Sequence, residues 1–290
     1  MSGDGSRSDR HWPGGGQTNW RPVAAKDVRD AIRSRTILLL TLLFAALFVG
    51  TAAIAIVGGD EPFGAFLDVG VPVVVFLVPV VAFGVAYKAI LNERRTRTIV
   101  LALSLPHSRW DMVVGTLVGR ALVLSLPIVA GLAVAGALVA TVGGAPGQLA
   151  NLLLFAIPTL LYAYAFLGFA LGLSSSTASS RRVTLAAIGS WVVFVSFWRQ
   201  LVSVLVMLLF RFRAEAYDSL PDWAVLLQLL SPTEAYLFLL DGLEAFSAGG
   251  VADMDAPPWF ATRFLAVTIL LAWIVVPVLL GYRRFRRVEI

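Results

Sequence analysis

The sequence predicts an all-α, polytopic membrane protein with six transmembrane helices. Three observations point there. Hydrophobic residues make up 58% of the chain and charged residues only 14%, against roughly 25% charged in an average soluble domain. Several apolar runs reach about 20 residues, enough for a helix to cross a bilayer core of about 30 Å, and they lack the alternation of β-barrel strands. The basic residues gather at the edges of these runs, and mostly on one side of them.

Residues 1–19 are polar and glycine-rich and read as a disordered tail. No short apolar core with a small-residue cleavage site comes before the first span, so that span is expected to stay in the membrane. Residues 20–35, WRPVAAKDVRDAIRSR, place Trp20, Ala24, Val28, Ala31 and Ile32 on one helical face and Lys26, Arg29, Asp30 and Arg33 on the other. Pro22 suits a first turn. The pattern predicts an interfacial amphipathic helix with its arginines near anionic headgroups. The alternative is a charged lead-in that only sets topology.

A six-span transmembrane domain then fills 36–290, with spans expected at about 37–57, 71–90, 113–142, 150–173, 184–209 and 264–281. Pro127 in the third is tolerable as a kink, and the hydrocarbon part of that span is expected nearer 121–140. None of the six contains Asp or Glu. Six crossings put Arg7, Arg10, Arg21, Lys26, Arg29, Arg33 and Arg35 on one side, with Lys88, Arg94, Arg95, Arg97, Arg109, Arg181, Arg182, Arg283, Arg284, Arg286 and Arg287. The other side keeps Arg211, Arg213 and Arg263, together with Asp60, Glu61, Asp68 and eight acids between 211 and 263. The positive-inside rule therefore predicts both termini in the cytoplasm of a cell (plasma) membrane protein. The arginines track membrane edges, so the bilayer is the expected charged partner and nucleic acid is not.

The chain has no cysteine, which excludes disulfides and thiolate metal sites. His11 and His107 lie far apart, so neither a metal site nor a catalytic cluster is expected. The acids Asp241, Glu244, Asp253 and Asp255 read as solvated loop charge.

Two connections carry more than topology. The first is NERRTRTIVLALSLPHSRWD, residues 92–111, an apolar centre too short to span and flanked by arginines. Pro106 stops it, and Ser108 with Asp111 has the spacing of an N-cap for the third span. It reads as a short helix beneath the membrane, available to a partner, or as a loop held by headgroups. The second connection, 211–263, contains SPTEAYLFLLDGLEAF. Ser231 can cap, Pro232 suits the first helical position, and Glu234 completes a capping box. One or two short helices in or dipping into the outer leaflet are expected, with Trp223 and Trp259 in an interfacial belt.

The stretch ERRTRTIVLALSLPHSRWDMVVGTLVGR, residues 93–120, resembles the ABC type-2 transporter permease family, including the branch with the nitrous-oxide-reductase maturation permease. Glu93, Arg94, Thr98, Leu103, Ser104, Leu105, Pro106, Ser108, Arg109, Gly115, Gly119 and Arg120 carry the likeness. The six-span plan, the amphipathic lead-in and the S-P-x-x-A-Y segment before the last span extend it. Arg97 stands where the family has glycine, and Thr116 where it often has lysine. The resemblance implies that 93–105 is a cytoplasmic coupling helix seated on a separate ABC ATPase subunit. Leu101, Leu103 and Leu105 would supply its apolar contact, and Glu93, Arg94, Arg95 and Arg109 its polar rim. It further implies an exporter-like transporter built as a homodimer or as a heterodimer with a second permease. No G-x-x-x-x-G-K-[ST] phosphate loop occurs in the chain, so ATP and Mg would be bound by the partner.

Two charges remain inside spans. Arg120 is expected near the cytoplasmic face, where it can snorkel. Arg199 lies about 20 Å into the fifth span at 1.5 Å per residue, where charge usually faces a partner or a wet cavity. Arg199 and its neighbour Gln200 are candidates for lining a transport pathway. The alternative for Arg199 is pairing with an external acid or with backbone carbonyls. A rival class, an ATPase-independent membrane-embedded enzyme or assembly factor, would need polar groups gathered at one depth. The substrate is not readable from the sequence.

Overall fold

The structure is a computed structural model that describes residues 20–33, 35–58, 61–86, 109–143, 149–177, 179–211, 220–243, 246–251, 254 and 257–286. Among these the regular elements are all helical. They are α1 (Arg21–Arg33), α2 (Arg35–Gly58), α3 (Pro62–Ala86), α4 (Arg109–Thr141) and α5 (Leu149–Ser176). A composite fifth span follows: α6 (Ser180–Trp191), a π-helical turn (Val192–Phe197) and α7 (Trp198–Leu209). Two short helices, α8 (Asp222–Leu229) and α9 (Pro232–Leu240), precede the closing α10 (Arg263–Arg286).

Among the described residues six helices are long and apolar enough to cross a membrane: Ile37–Gly58, Pro62–Ala86, Trp110–Thr141, Ala150–Ser176, Ser180–Leu209 and Arg263–Arg284. α8 and α9 meet at a bend of 97° and form a hairpin. The second spanning helix starts at Pro62 instead of near 71, because Pro62 presets the first helical turn. It thereby takes in Asp68, which is exposed. That corrects the expectation of acid-free spans, although Asp68 stands close to the helix end. The fifth span starts at Ser180, four residues earlier than expected, where the Ser179 hydroxyl accepts from the Arg182 backbone N–H at 3.4 Å.

α3 is the most enclosed span, with 61% of its apolar stretch buried, whereas only 11% is buried in the fifth span. Aromatic contacts knit α3 to α5. Phe66 meets Phe155 edge-on with ring centres 5.8 Å apart, and Phe83 meets Phe166 the same way. α5 and α10 cross at backbone contact. A Cβ on Gly168 would fall 2.5 Å from the Ile274 carbonyl oxygen, and one on Gly281 would fall 2.5 Å from that of Gly172. Small residues at such crossings let membrane helices approach without a hydrophobic drive between them.

Each interior proline leaves one carbonyl of the preceding turn without its helical donor. Pro79 in α3 so deprives Val75. The Tyr162 hydroxyl of α5 donates to that oxygen at 3.0 Å, and Tyr162 is fully buried. A proline in one span therefore fixes a tyrosine in the next.

Candidate functional site

The bundle has two ends, and each holds a constellation built around one arginine of a spanning helix. At the first end the motif residues Gly115, Gly119 and Arg120 lie on α4. This helix has 33 residues, about 50 Å at 1.5 Å per residue, against a hydrocarbon core of about 30 Å. Several of its turns must therefore stand clear of the apolar layer, and α1 packs there. The glycines make the seat. A Cβ on Gly115 would lie 2.8 Å from the Trp20 carbonyl oxygen, and one on Gly119 would lie 2.7 Å from Asp27 Cβ. One turn apart, they offer flat backbone to the face of α1 formed by Trp20, Val23, Ala24 and Asp27, where Ala24 is buried.

Arg120 closes this seat. Its Nε donates to Asp27 Oδ2 of α1 at 3.0 Å, and its Nη1 donates to the Val85 carbonyl. Val85 belongs to the last turn of α3, whose carbonyls lack helical donors. One guanidinium thus gathers α1, the end of α3 and the body of α4. The charge expected to snorkel is tied to protein at both contacts.

That frame borders the segment 87–108, which lies outside the described residues. The coupling residues expected from the sequence, Glu93, Arg94, Arg95, Leu101, Leu103 and Leu105, fall there. Arg109 is the first residue of α4. The two helices that this segment joins are the two that Arg120 ties together. Nearby, Trp110 meets Tyr282 of α10 edge-on at 5.0 Å.

At the second end, Arg199 of α7 makes a two-pronged ion pair with Glu234 of α9. Its Nε lies 3.0 and 3.2 Å from the two carboxylate oxygens and its Nη2 lies 2.8 Å from Oε2. Such parallel bonds fix geometry as well as charge. Nη2 also donates to the Ala248 carbonyl at 3.4 Å. Gly250, at φ +72°, backs the guanidinium, since a Cβ there would lie 3.0 Å from Arg199 Cζ. This is a pairing with an acid of the 211–263 connection, the alternative that the sequence left open. Gln200, its neighbour in the sequence, is exposed.

Glu234 also departs from its expected local role. Ser231 does cap α9, accepting from the Thr233 N–H at 3.2 Å. A capping box would need Glu234 to accept from the Ser231 N–H, but that group donates to the Gln228 carbonyl. The carboxylate is thereby released to reach Arg199.

The bend between α8 and α9 turns the carbonyls of Leu227, Gln228 and Leu230 toward neighbouring helices, that of Gln228 already accepting from the Ser231 N–H. Indole groups supply the donors. Trp198 Nε1 donates to the Leu227 and Gln228 carbonyls at 3.1 and 3.2 Å, and Trp273 Nε1 donates to Leu230 at 2.9 Å. The Ser231 hydroxyl donates in turn to Phe194 in the π turn at 3.3 Å. Deeper in, Thr159 meets the Tyr236 hydroxyl at 3.1 Å, Tyr162 meets Thr233 at 3.2 Å, and the two tyrosine rings stack 4.6 Å apart. The sequence reading missed Asp27, Thr159, Tyr162, Thr233 and Tyr236. A signal for Tyr162 existed in Pro79, which demands a donor from a neighbouring span.

Neither constellation presents a nucleophile beside a base, and among the described residues no three His, Asp or Glu side chains converge as metal ligands. Both tie together helices that are far apart in the sequence.

The sequence profile described as ABC-2 family transporter protein matches residues 21–290. The chain is 33% identical to the probable ABC transporter permease protein NosY of Stutzerimonas stutzeri over 282 residues, 91% of this chain and 97% of that protein. It is 31% identical to the protein of the same name from Pseudomonas aeruginosa, with the same coverage of both chains.

Proposed function

The chain belongs to the ABC-2 family of transporter proteins, and from that premise we propose that it is a permease half driven by a separate ABC ATPase. The likeness to permeases along nearly the whole chain carries this reading. The segment 93–105 acts as the coupling helix. Leu101, Leu103 and Leu105 insert into the ATPase, and Glu93, Arg94, Arg95 and Arg109 ring the contact. ATP and Mg bind in the partner. The absence of a phosphate loop from the sequence supports that division of labour. The tie that Arg120 makes between α3 and α4 supports it as well, because a push on the segment between them would reach the spans as one body.

The basic residues on one side support cytoplasmic termini and a plasma-membrane location. A second permease, identical or similar, completes the transporter. The low burial of the first and fifth spans, 22% and 11% of their apolar stretches, supports a second half covering them. The ion pair of Arg199 with Glu234 supports a first role for it in holding the hairpin rather than in lining a pathway.

Two experiments test the reading. Leu103→Asp should abolish co-purification with the co-expressed ATPase while the permease still folds. Because the chain has no native cysteine, Arg95→Cys can be labelled cleanly in intact cells. Labelling by an impermeant maleimide from outside would put this segment beyond the ATPase and end the proposal.

A further inference from the structure

Between α5 and α10, at the end of the bundle that carries α1, lies an open groove of about 410 Å³. Phe169 and Leu173 of α5 and Pro277 and Leu280 of α10 supply apolar walls, and Gly172 and Gly281 form a floor where the two backbones touch. Arg283 and Arg284 stand at the mouth, both exposed. Among the described residues the ion pairs are Arg120–Asp27 and Arg199–Glu234, so neither mouth arginine is neutralised by one. Both arginines follow the apolar stretch of α10, which puts them at headgroup depth.

We propose that this groove binds one anionic phospholipid, with an acyl chain along the glycine floor and the headgroup phosphate held by Arg283 and Arg284. The charge pattern selects the occupant. Two guanidinium groups favour a phosphate with net negative charge and can bond it in parallel, whereas a zwitterionic headgroup brings its own cation. Basic pockets between membrane helices capture anionic headgroups in this way. The apolar walls distinguish the groove from the exposed arginines of α1, which can attract such headgroups but offer no cleft for a chain. The proposal is independent of the ATPase reading.

Native mass spectrometry of the full chain in detergent tests it, with phosphatidylglycerol and phosphatidylcholine as probes. The unaltered protein should retain one phosphatidylglycerol in preference to phosphatidylcholine. R283Q/R284Q should weaken that retention about thirtyfold, from the usual contribution of two basic residues near an anionic surface. R283K/R284K should keep most of it, which separates loss of charge from loss of fold. L173W should fill the cleft and lose the lipid although both arginines remain. R29Q/R33Q should leave it bound. Unchanged retention in R283Q/R284Q, equal loss in R29Q/R33Q, or equal retention of phosphatidylcholine would overturn the proposal. So would equal competition by glycerophosphoglycerol, the same headgroup without acyl chains.

Discussion

At one end of the bundle Arg120 holds α1, and at the other Arg199 holds the α8–α9 hairpin. Both arginines stand in spanning helices, both pair with a carboxylate on a short helix, and both also reach a backbone carbonyl. The surroundings differ. α1 rests on glycine backbone, a flat seat that fixes distance with few directional bonds. The hairpin is keyed by hydroxyl and indole donors that reach into the core beside α3 and α5. A flat seat can release its helix and leave the bundle closed. A keyed hairpin cannot leave without stranding buried polar groups, so damage there should spread.

The sharpest test of that contrast is Glu234→Ala. Breaking a buried ion pair costs about 3–5 kcal/mol. Arg199 is 32% exposed, so a loss of about 2–3 kcal/mol is expected after solvent screening. The readout is a lower thermal midpoint in detergent, and an equal drop from Asp27→Ala would erase the difference between the two ends. Next comes Tyr162→Phe. It strands the carbonyl freed by Pro79 and should cost about 1–3 kcal/mol, with no change in the exposure of α1 to protease. Gly119→Leu should do the reverse. It pushes α1 off its seat at about 1 kcal/mol to the bundle, while trypsin cuts after Lys26 and Arg29 several times faster. If cleavage there stays slow, the glycine seat is not what holds α1. Asp27→Asn should be the mildest of the four, within about 1 kcal/mol for a partly exposed pair, read as a small shift in the same melting curve.

Much of the fold was legible because a span is a local property. Length and apolarity decide it, and six runs of the right kind stood in the sequence. The two arginines were legible too, as charges out of place. Their partners were not. Asp27 is 93 positions from Arg120, and Glu234 is 35 from Arg199. Glu234 was also masked by its own neighbourhood, since S-x-x-E points to a capping box and the backbone at Gln228 takes the bond that such a box would need. The hairpin bend was only half visible. Ser231 and Pro232 announce a helix start, but nothing local says that Trp198 and Trp273 will cover the carbonyls at the bend. The π turn was silent because VVFVSF is apolar like any span residues.

That turn, Val192–Phe197, sets a phase. A π-helical turn holds one residue more than the α-helical winding around it, and each residue rotates an α-helix by about 100°. Arg199 follows the surplus residue by a few positions. The turn absorbs that surplus, so rewinding Val192–Phe197 as α-helix with every residue kept would swing the guanidinium about a quarter-turn away from Glu234, although no residue of the clasp itself had changed. The angular meeting of these two charges is therefore set by the winding upstream, where a comparison of side-chain types would not look for it.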